Sequence, residues 1–117
     1  MSVVSFSVDA SDGAARAGRV STPRGEFLTP AFMPVATRGT IRALATHELD
    51  QLAPPVVLAN TYHLMMRPGA EVVEALGGLH EFMGWPGHTL TDSGGFQVMS
   101  LKPKISDDGV VFQSTYD

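Results

Sequence analysis

Cysteine is absent from the 117 residues, which removes any disulfide framework, thiol nucleophile and thiolate metal site from this stretch of chain. Four histidines do not replace such a set. Long apolar runs are missing as well. Nothing approaches the ~18 residues of a membrane span, and the opening MSVVSFSVDASDGAARAGR has neither a basic region ahead of an apolar stretch nor a cleavage-like end. The expected setting is cytoplasmic, with no membrane contact. Charged side chains make up only 17% and apolar ones 44%, a globular balance that excludes disorder and collagen and fits at most one domain. A basic stripe of the kind that supplies non-specific nucleic-acid affinity is not visible. Residues 1–44 carry five Arg against three acids (+2), whereas residues 45–117 carry three bases against nine acids (−6), giving the net −4. Contact with nucleic acid would need further chain, or separated arginines such as Arg38 and Arg42.

What is present reads as alternating strands and helices without repeats or low-complexity tracts. Residues 3–9 alternate apolar and polar, residues 10–13 supply turn chemistry, and residues 17–27 hold a second strand-like stretch broken at Pro23 and Gly25. Residues 31–35 (AFMPV) predict a strand bent at its end by Pro34. Thr46 is the expected N-cap of a short helix, with Glu48 in its first turn and Pro54-Pro55 stopping it. Residues 56–59 (VVLA) form the unbroken aliphatic run of a strand buried on both faces, and residues 60–63 leave its end. Residues 70–76 place Val72, Val73 and Leu76 on one helical face ahead of Gly77-Gly78, with a second helical piece over 79–83. Residues 88–91 (HTLT), set between breakers, predict another strand. Residues 96–101 and 109–115 then alternate around 106–109, which predicts a hairpin. Strand alternating with helix argues a parallel sheet with right-handed crossovers.

The last residues, VVFQSTYD, stop inside a strand pattern, and about three βα steps are present where a (β/α)₈ barrel needs eight and roughly 250 residues. The chain is therefore expected to be an N-terminal fragment.

Chemistry concentrates in residues 90–97 (LTDSGGFQ). Asp92 leaves a strand end, and Ser93, Gly94 and Gly95 follow, the glycines letting backbone N–H groups approach a ligand closely. Phe96 can cover a flat ring. In parallel α/β proteins ligands bind at the carboxyl ends of strands, where both Asp92 and Asn60 fall. The same residues also suit a plain turn, and Phe96 a core position. His47-Glu48 and His80-Glu81 begin like a zinc-protease helix, but Gln51 and Gly84 stand where the second histidine belongs. Neither G-x-G-x-x-G nor a Walker loop occurs, so no nucleotide cofactor is implied. His63 reads as a satisfied histidine before it reads as a base, Trp85 as a packing anchor, and Met65-Met66 as core filler or pocket lining.

Taken together, TPAFMPV at 29–35, NTYHL at 60–64 with Arg67-Pro68-Gly69, GGLH at 77–80 with FMGW at 82–85, and LTDSGGFQV at 90–98 resemble one family, the bacterial-type tRNA-guanine transglycosylases or queuine tRNA-ribosyltransferases. The resemblance covers most of residues 20–117. It implies a (β/α)₈ TIM barrel, preceded here by an antiparallel β segment and interrupted by a β-hairpin after the third barrel strand. Residues 1–117 would be the N-terminal part of that single domain. The implied activity exchanges the wobble guanine of tRNA for a 7-deazaguanine (preQ1), with retention, through a covalent enzyme–ribose intermediate. Such a displacement needs two carboxylates, one holding the sugar and one serving the bases as acid and base.

By motif position the resemblance makes Asp92 the acid/base that also binds the purine edge. Ser93, Gly94 and Gly95 become the loop around the base, Phe96 the stacking aromatic, and Asn60 the residue that orients the aspartate. The nucleophilic aspartate, the Cys-x-Cys-x-x-Cys plus His zinc set and most of the tRNA-gripping basic surface belong to later parts of the family chain. As supplied, the chain is expected to be inactive, with zinc and a homodimer belonging to the full-length member. Two other readings compete: a non-catalytic tRNA-binding or dimerising member of the family, and a barrel hydrolase acting on another glycoside.

Overall fold

The computed structural model describes residues 3–116. Its amino-terminal strands β1 (Ser5–Asp12), β2 (Ala15–Thr22) and β3 (Gly25–Thr29) pair in sequence order as an antiparallel sheet. β1 runs further than the alternation at 3–9 suggested. Ala10, Ser11 and Asp12 pair with Ala17, Arg16 and Ala15, so the reversal falls at Gly13, whose φ is +56°.

The second sheet is parallel, in the order β4 (Val35–Ala36), β5 (Val56–Ala59), β6 (His88–Thr91). Helix α1 (Thr46–Leu52) connects β4 to β5, and α2 (Thr61–Met66), α3 (Ala70–Ala75) and α4 (Leu79–Met83) connect β5 to β6. The aliphatic run at 56–59 becomes the central strand for the expected reason: paired on both sides and covered on both faces, it has no position that tolerates a polar side chain. Val57 and Ala59 are fully buried, in a core with Ala36, Leu49, Leu64, Met83 and Trp85. Trp85 is the anchor expected of it, its indole N–H donating to the His88 carbonyl at 3.1 Å.

The antiparallel sheet attaches at the amino end of the parallel one. Thr22 Oγ1 lies 3.2 Å from Nδ1 of His88, the first residue of β6, the Phe27 and His88 rings are 4.8 Å apart, and the Arg24 guanidinium donates to Pro86 O. The opposite, carboxyl end of the parallel strands stays open. Among the described residues no helix is long and apolar enough to cross a membrane.

Four local expectations need correction. Residues 31–35 are not a strand: pairing begins only at Val35, because Pro30 and Pro34 have no N–H to give, and Pro34 contributes only its carbonyl, which accepts from Leu58 N. Thr46 is the first helical residue and not the cap. Ala45 precedes the helix, and the Glu48 carboxylate accepts its N–H at 2.7 Å, so the acid supplies the helix start that a threonine was expected to supply. Residues 60–63 are the start of α2. Finally, residues 96–101 are not the first arm of a hairpin but lie in helix α5 (Gly95–Ser100) and its C-cap. Val98 and Leu101, three apart, are half-buried, while Phe96 and Met99, also three apart, are exposed, so a six-residue pattern that alternates also satisfies the helical period. The hairpin is shorter and later, β7 (Lys104–Ser106) with β8 (Gly109–Val111), turning at Asp107-Asp108. The face expected over 70–76 is only partly covered: Val73 is half-buried, whereas Val72 and Leu76 are exposed.

The result is an α/β fold of partial-barrel type, with an antiparallel β segment before the first parallel strand and a hairpin after the third.

Candidate active site

Two neighbouring parallel strands end in side chains that meet. β5 runs out at Ala59 into Asn60, and β6 runs out at Thr91 into Asp92. Because the strands pair in register, with Ala59 opposite Thr91, the next residue of each emerges at the same level. Asn60 is only 7% exposed, the one buried polar side chain among the described residues, and such a group must have both ends of its amide satisfied. Its Oδ1 accepts the His63 N–H at 3.1 Å, which caps α2, and its Nδ2 donates to Asp92 Oδ2 at 2.5 Å. One amide thus starts a helix and holds a carboxylate.

Thr61 completes the grip. Its backbone N–H donates to Asp92 Oδ1 at 2.8 Å, and its hydroxyl donates to the Asp92 carbonyl. Each carboxylate oxygen of the half-buried Asp92 therefore has one protein donor, and a carboxylate offers about four lone-pair sites, so each oxygen keeps one for a ligand. The plane of the carboxyl group is set from two sides while its outer edge is free. Thr61 was not singled out from the sequence. Its role follows from being the first residue after an asparagine cap, a position that shows only once helix α2 is in place.

Beyond Asp92 the chain turns sharply. Ser93 is exposed, and its Oγ accepts the Gly95 N–H at 3.2 Å. Gly94 is buried with φ +69°, and a Cβ there would stand 3.1 Å from Tyr62 Cβ and 3.2 Å from Tyr62 N. Glycine is required here twice over, by the backbone angle and by the closeness of α2. Gly95 opens α5, and Phe96 follows on its outer side with 83% of its surface exposed. Among the described residues nothing packs over the Phe96 ring.

His63 takes the satisfied reading, its Nδ1 sharing a hydrogen bond of 2.5 Å with the Tyr116 hydroxyl. Met65 lines an apolar groove with Thr61, Leu64, Val73 and Leu79. Among the described residues no three His, Cys, Asp or Glu side chains gather as a metal site, and the sequence has no thiolate to offer. The described residues do not fit a zinc set.

This arrangement can hold a flat heterocycle. A fixed carboxylate edge pairs with ring N–H groups, a side-chain-free loop lets the ring come close, and an unoccupied aromatic face covers it. The same carboxylate can pass one proton to a leaving group and take one from an incoming group.

The family model described as queuine tRNA-ribosyltransferase matches residues 10–117. Among curated proteins, a queuine tRNA-ribosyltransferase of Brucella suis biovar 1 is 58% identical over 114 residues, which is 96% of this chain and 30% of that protein. The protein of the same description from Thermus thermophilus is 56% identical over 114 residues, with the same shares. That from Herpetosiphon aurantiacus is 50% identical across 100% of this chain and 30% of its own length. The chain thus spans about 30% of the length of the curated relatives it matches.

Proposed function

The chain belongs to the queuine tRNA-ribosyltransferase family, and on that premise we propose that a protein carrying these residues at the family's full length exchanges the wobble guanine of tRNA for a 7-deazaguanine such as preQ1. Asp92 is the acid/base and binds the purine edge. Ser93, Gly94 and Gly95 form the loop around the base, Phe96 stacks on it, and Asn60 orients the aspartate. The observation that carries this reading is the clamp of Asn60 Nδ2 and Thr61 N on Asp92 beside an uncovered Phe96.

The chemistry follows from charge and proton balance. A second carboxylate attacks the ribose C1′ as the N-glycosidic bond breaks, and the guanine leaves with the bonding pair and takes a proton. Asp92 gives that proton, then accepts one from the entering base, whose nitrogen attacks C1′ and releases the enzyme carboxylate with net retention. The target base must leave the anticodon stack before any of this, and the Phe96 face offsets part of the unstacking cost. Among the described residues Asp92 is the one carboxylate at this strand-end cluster, so these 117 residues by themselves should exchange no base. Zinc, if the full-length protein holds it, is bound by residues outside this sequence. A homodimer and a cytoplasmic setting complete the proposal.

The test is Asp92→Asn in the full-length protein, read by labelled guanine incorporation into tRNA. An amide cannot carry the proton, and loss of 10²–10⁴-fold is expected, the typical range for a general acid/base. The fold is kept at a cost of about 1–2 kcal/mol, because the new NH₂ meets the Asn60 donor, whose own oxygen is committed to His63 N. Turnover near wild type would overturn the assignment.

A further inference from the structure

A second cluster lies on the same open end of the parallel sheet, and the site above does not use it. Arg38 stands two residues beyond the end of β4, and Arg67 is the C-cap of α2. Tyr116 comes from the far end of the described chain. Its ring is flanked by both cations, with the Arg38 and Arg67 Cζ atoms 5.2 and 5.7 Å from the ring centre. Its hydroxyl accepts from Arg38 Nη2 at 3.2 Å and shares the 2.5 Å hydrogen bond with His63. These four side chains, with Thr115, line one polar concavity.

The electrostatics are unusual for this chain. The ion pairs among the described residues join Arg19 to Asp9 and Glu26, on the antiparallel sheet at the other end of the molecule. Arg38 and Arg67 have no carboxylate partner among the described residues. Two cations held on one ring repel each other, and such an arrangement gains from an anionic ligand. The whole chain carries a net charge of −4, so the pair is a local exception and not part of a basic surface.

Position suggests the ligand. Helix α2 begins at the clamp on Asp92 and is followed by Arg67 as its C-cap, and its six residues rise about 9 Å. A nucleotide adjoining one whose base sits at Asp92 reaches that far. We infer that Arg38 and Arg67, braced by Tyr116, bind a backbone phosphate of the RNA strand whose base is held at Asp92; the inference rests on the function proposed above. The guanidinium forks supply paired donors that match phosphate oxygens, and the tyrosine, itself held by His63, keeps both forks in place.

The test uses the full-length protein and an anticodon stem-loop RNA, with binding followed by fluorescence anisotropy across a series of KCl concentrations. One phosphate contact to single-stranded RNA contributes about 0.7 to the slope of log K against log salt. Arg38→Gln with Arg67→Gln should flatten the slope by about that amount and weaken binding most at low salt. Arg38→Lys with Arg67→Lys should restore most of the slope. Arg19→Gln, which also removes a positive charge but lies on the antiparallel sheet, should leave it unchanged. An unaltered slope in the double glutamine variant, with its circular dichroism intact, overturns this inference and leaves the base-exchange reading standing. If the double glutamine variant does not fold, the single variants Arg38→Gln and Arg67→Gln decide: a slope flattened in either supports the phosphate site, and an unaltered slope in both overturns it. Failure of the wild-type protein to bind the RNA at all overturns both.

Discussion

Asn60 performs two tasks that substitution can separate. Its Oδ1 caps α2 through His63 N, and its Nδ2 holds Asp92 Oδ2. Serine caps a helix about as well as asparagine but is too short to reach the carboxylate, whereas alanine does neither. Losing the cap costs about 1 kcal/mol. Losing a hydrogen bond to a charged group costs about 1.5–3 kcal/mol, and the lower half of that range applies because Asp92 is only half-buried and water can replace the donor. Asn60→Ala should therefore destabilise by about 2.5–3 kcal/mol and Asn60→Ser by about 1.5–2 kcal/mol. Urea unfolding followed by the fluorescence of Trp85, the single tryptophan and a buried one, reads the difference directly. In the full-length protein base exchange should fall by the same factor in both variants, roughly 10-fold for about 1.4 kcal/mol of lost orientation, because both release the same carboxylate oxygen. The reasoning is refuted if Asn60→Ser exchanges bases at the wild-type rate, or if its exchange falls while that of Asn60→Ala does not.

Phe96→Ala should leave stability within about 0.5 kcal/mol, since the ring is 83% exposed, while free-base affinity drops by about 1–3 kcal/mol in calorimetry; unchanged affinity with a lower melting temperature would refute the stacking role. Gly94→Ala should destabilise by about 2–3 kcal/mol, combining the left-handed backbone angle with the contact on Tyr62, and denaturant melts measure it. Burial, helped by the Arg24 charge, holds the His80 imidazole below its usual value against opposing effects of the Gly87 backbone and Glu81, so below pH of about 6.5 the unfolded state takes up the proton first. Stability should consequently decline as pH falls through that value, and His80→Gln, which keeps a partner for Thr89, should flatten the decline in pH-dependent urea melts.

Much of this was legible before any coordinates. The aliphatic run at 56–59, breaker-bounded 88–91 and the alternation of strand with helix predicted a parallel sheet, and the strand-end rule placed Asn60 and Asp92 on one face. What stayed hidden was hidden for physical reasons. Residues 96–101 alternate like a strand and also repeat every three like a helix; six residues cannot separate the two periods, and the left-handed Gly94 that launches α5 settles the matter. Thr46 looked like a cap because capping is usually a hydroxyl's task, while here the Glu48 carboxylate reaches back to Ala45 N. Proline inside 31–35 was recognised as a bend, yet two prolines remove enough donors that no ladder forms before Val35. The clamp on Asp92 required Thr61, and Thr61 becomes visible only once α2 exists.

The placement of α2 links these points. A helix starting directly at the end of β5 makes its capping asparagine face the neighbouring strand end, so the first turn of α2 and the carboxylate of β6 are built by the same three hydrogen bonds. The same first turn carries His63 toward Tyr116, and the C-cap carries Arg67 toward it as well. Any change that shifts α2 along its axis should disturb the carboxylate and the cationic pair together, whereas changes to the antiparallel sheet, bound at the opposite end through His88, should disturb neither. The chain thereby separates a face where strands end, which carries the proposed site, from a face where they begin, where the antiparallel sheet packs.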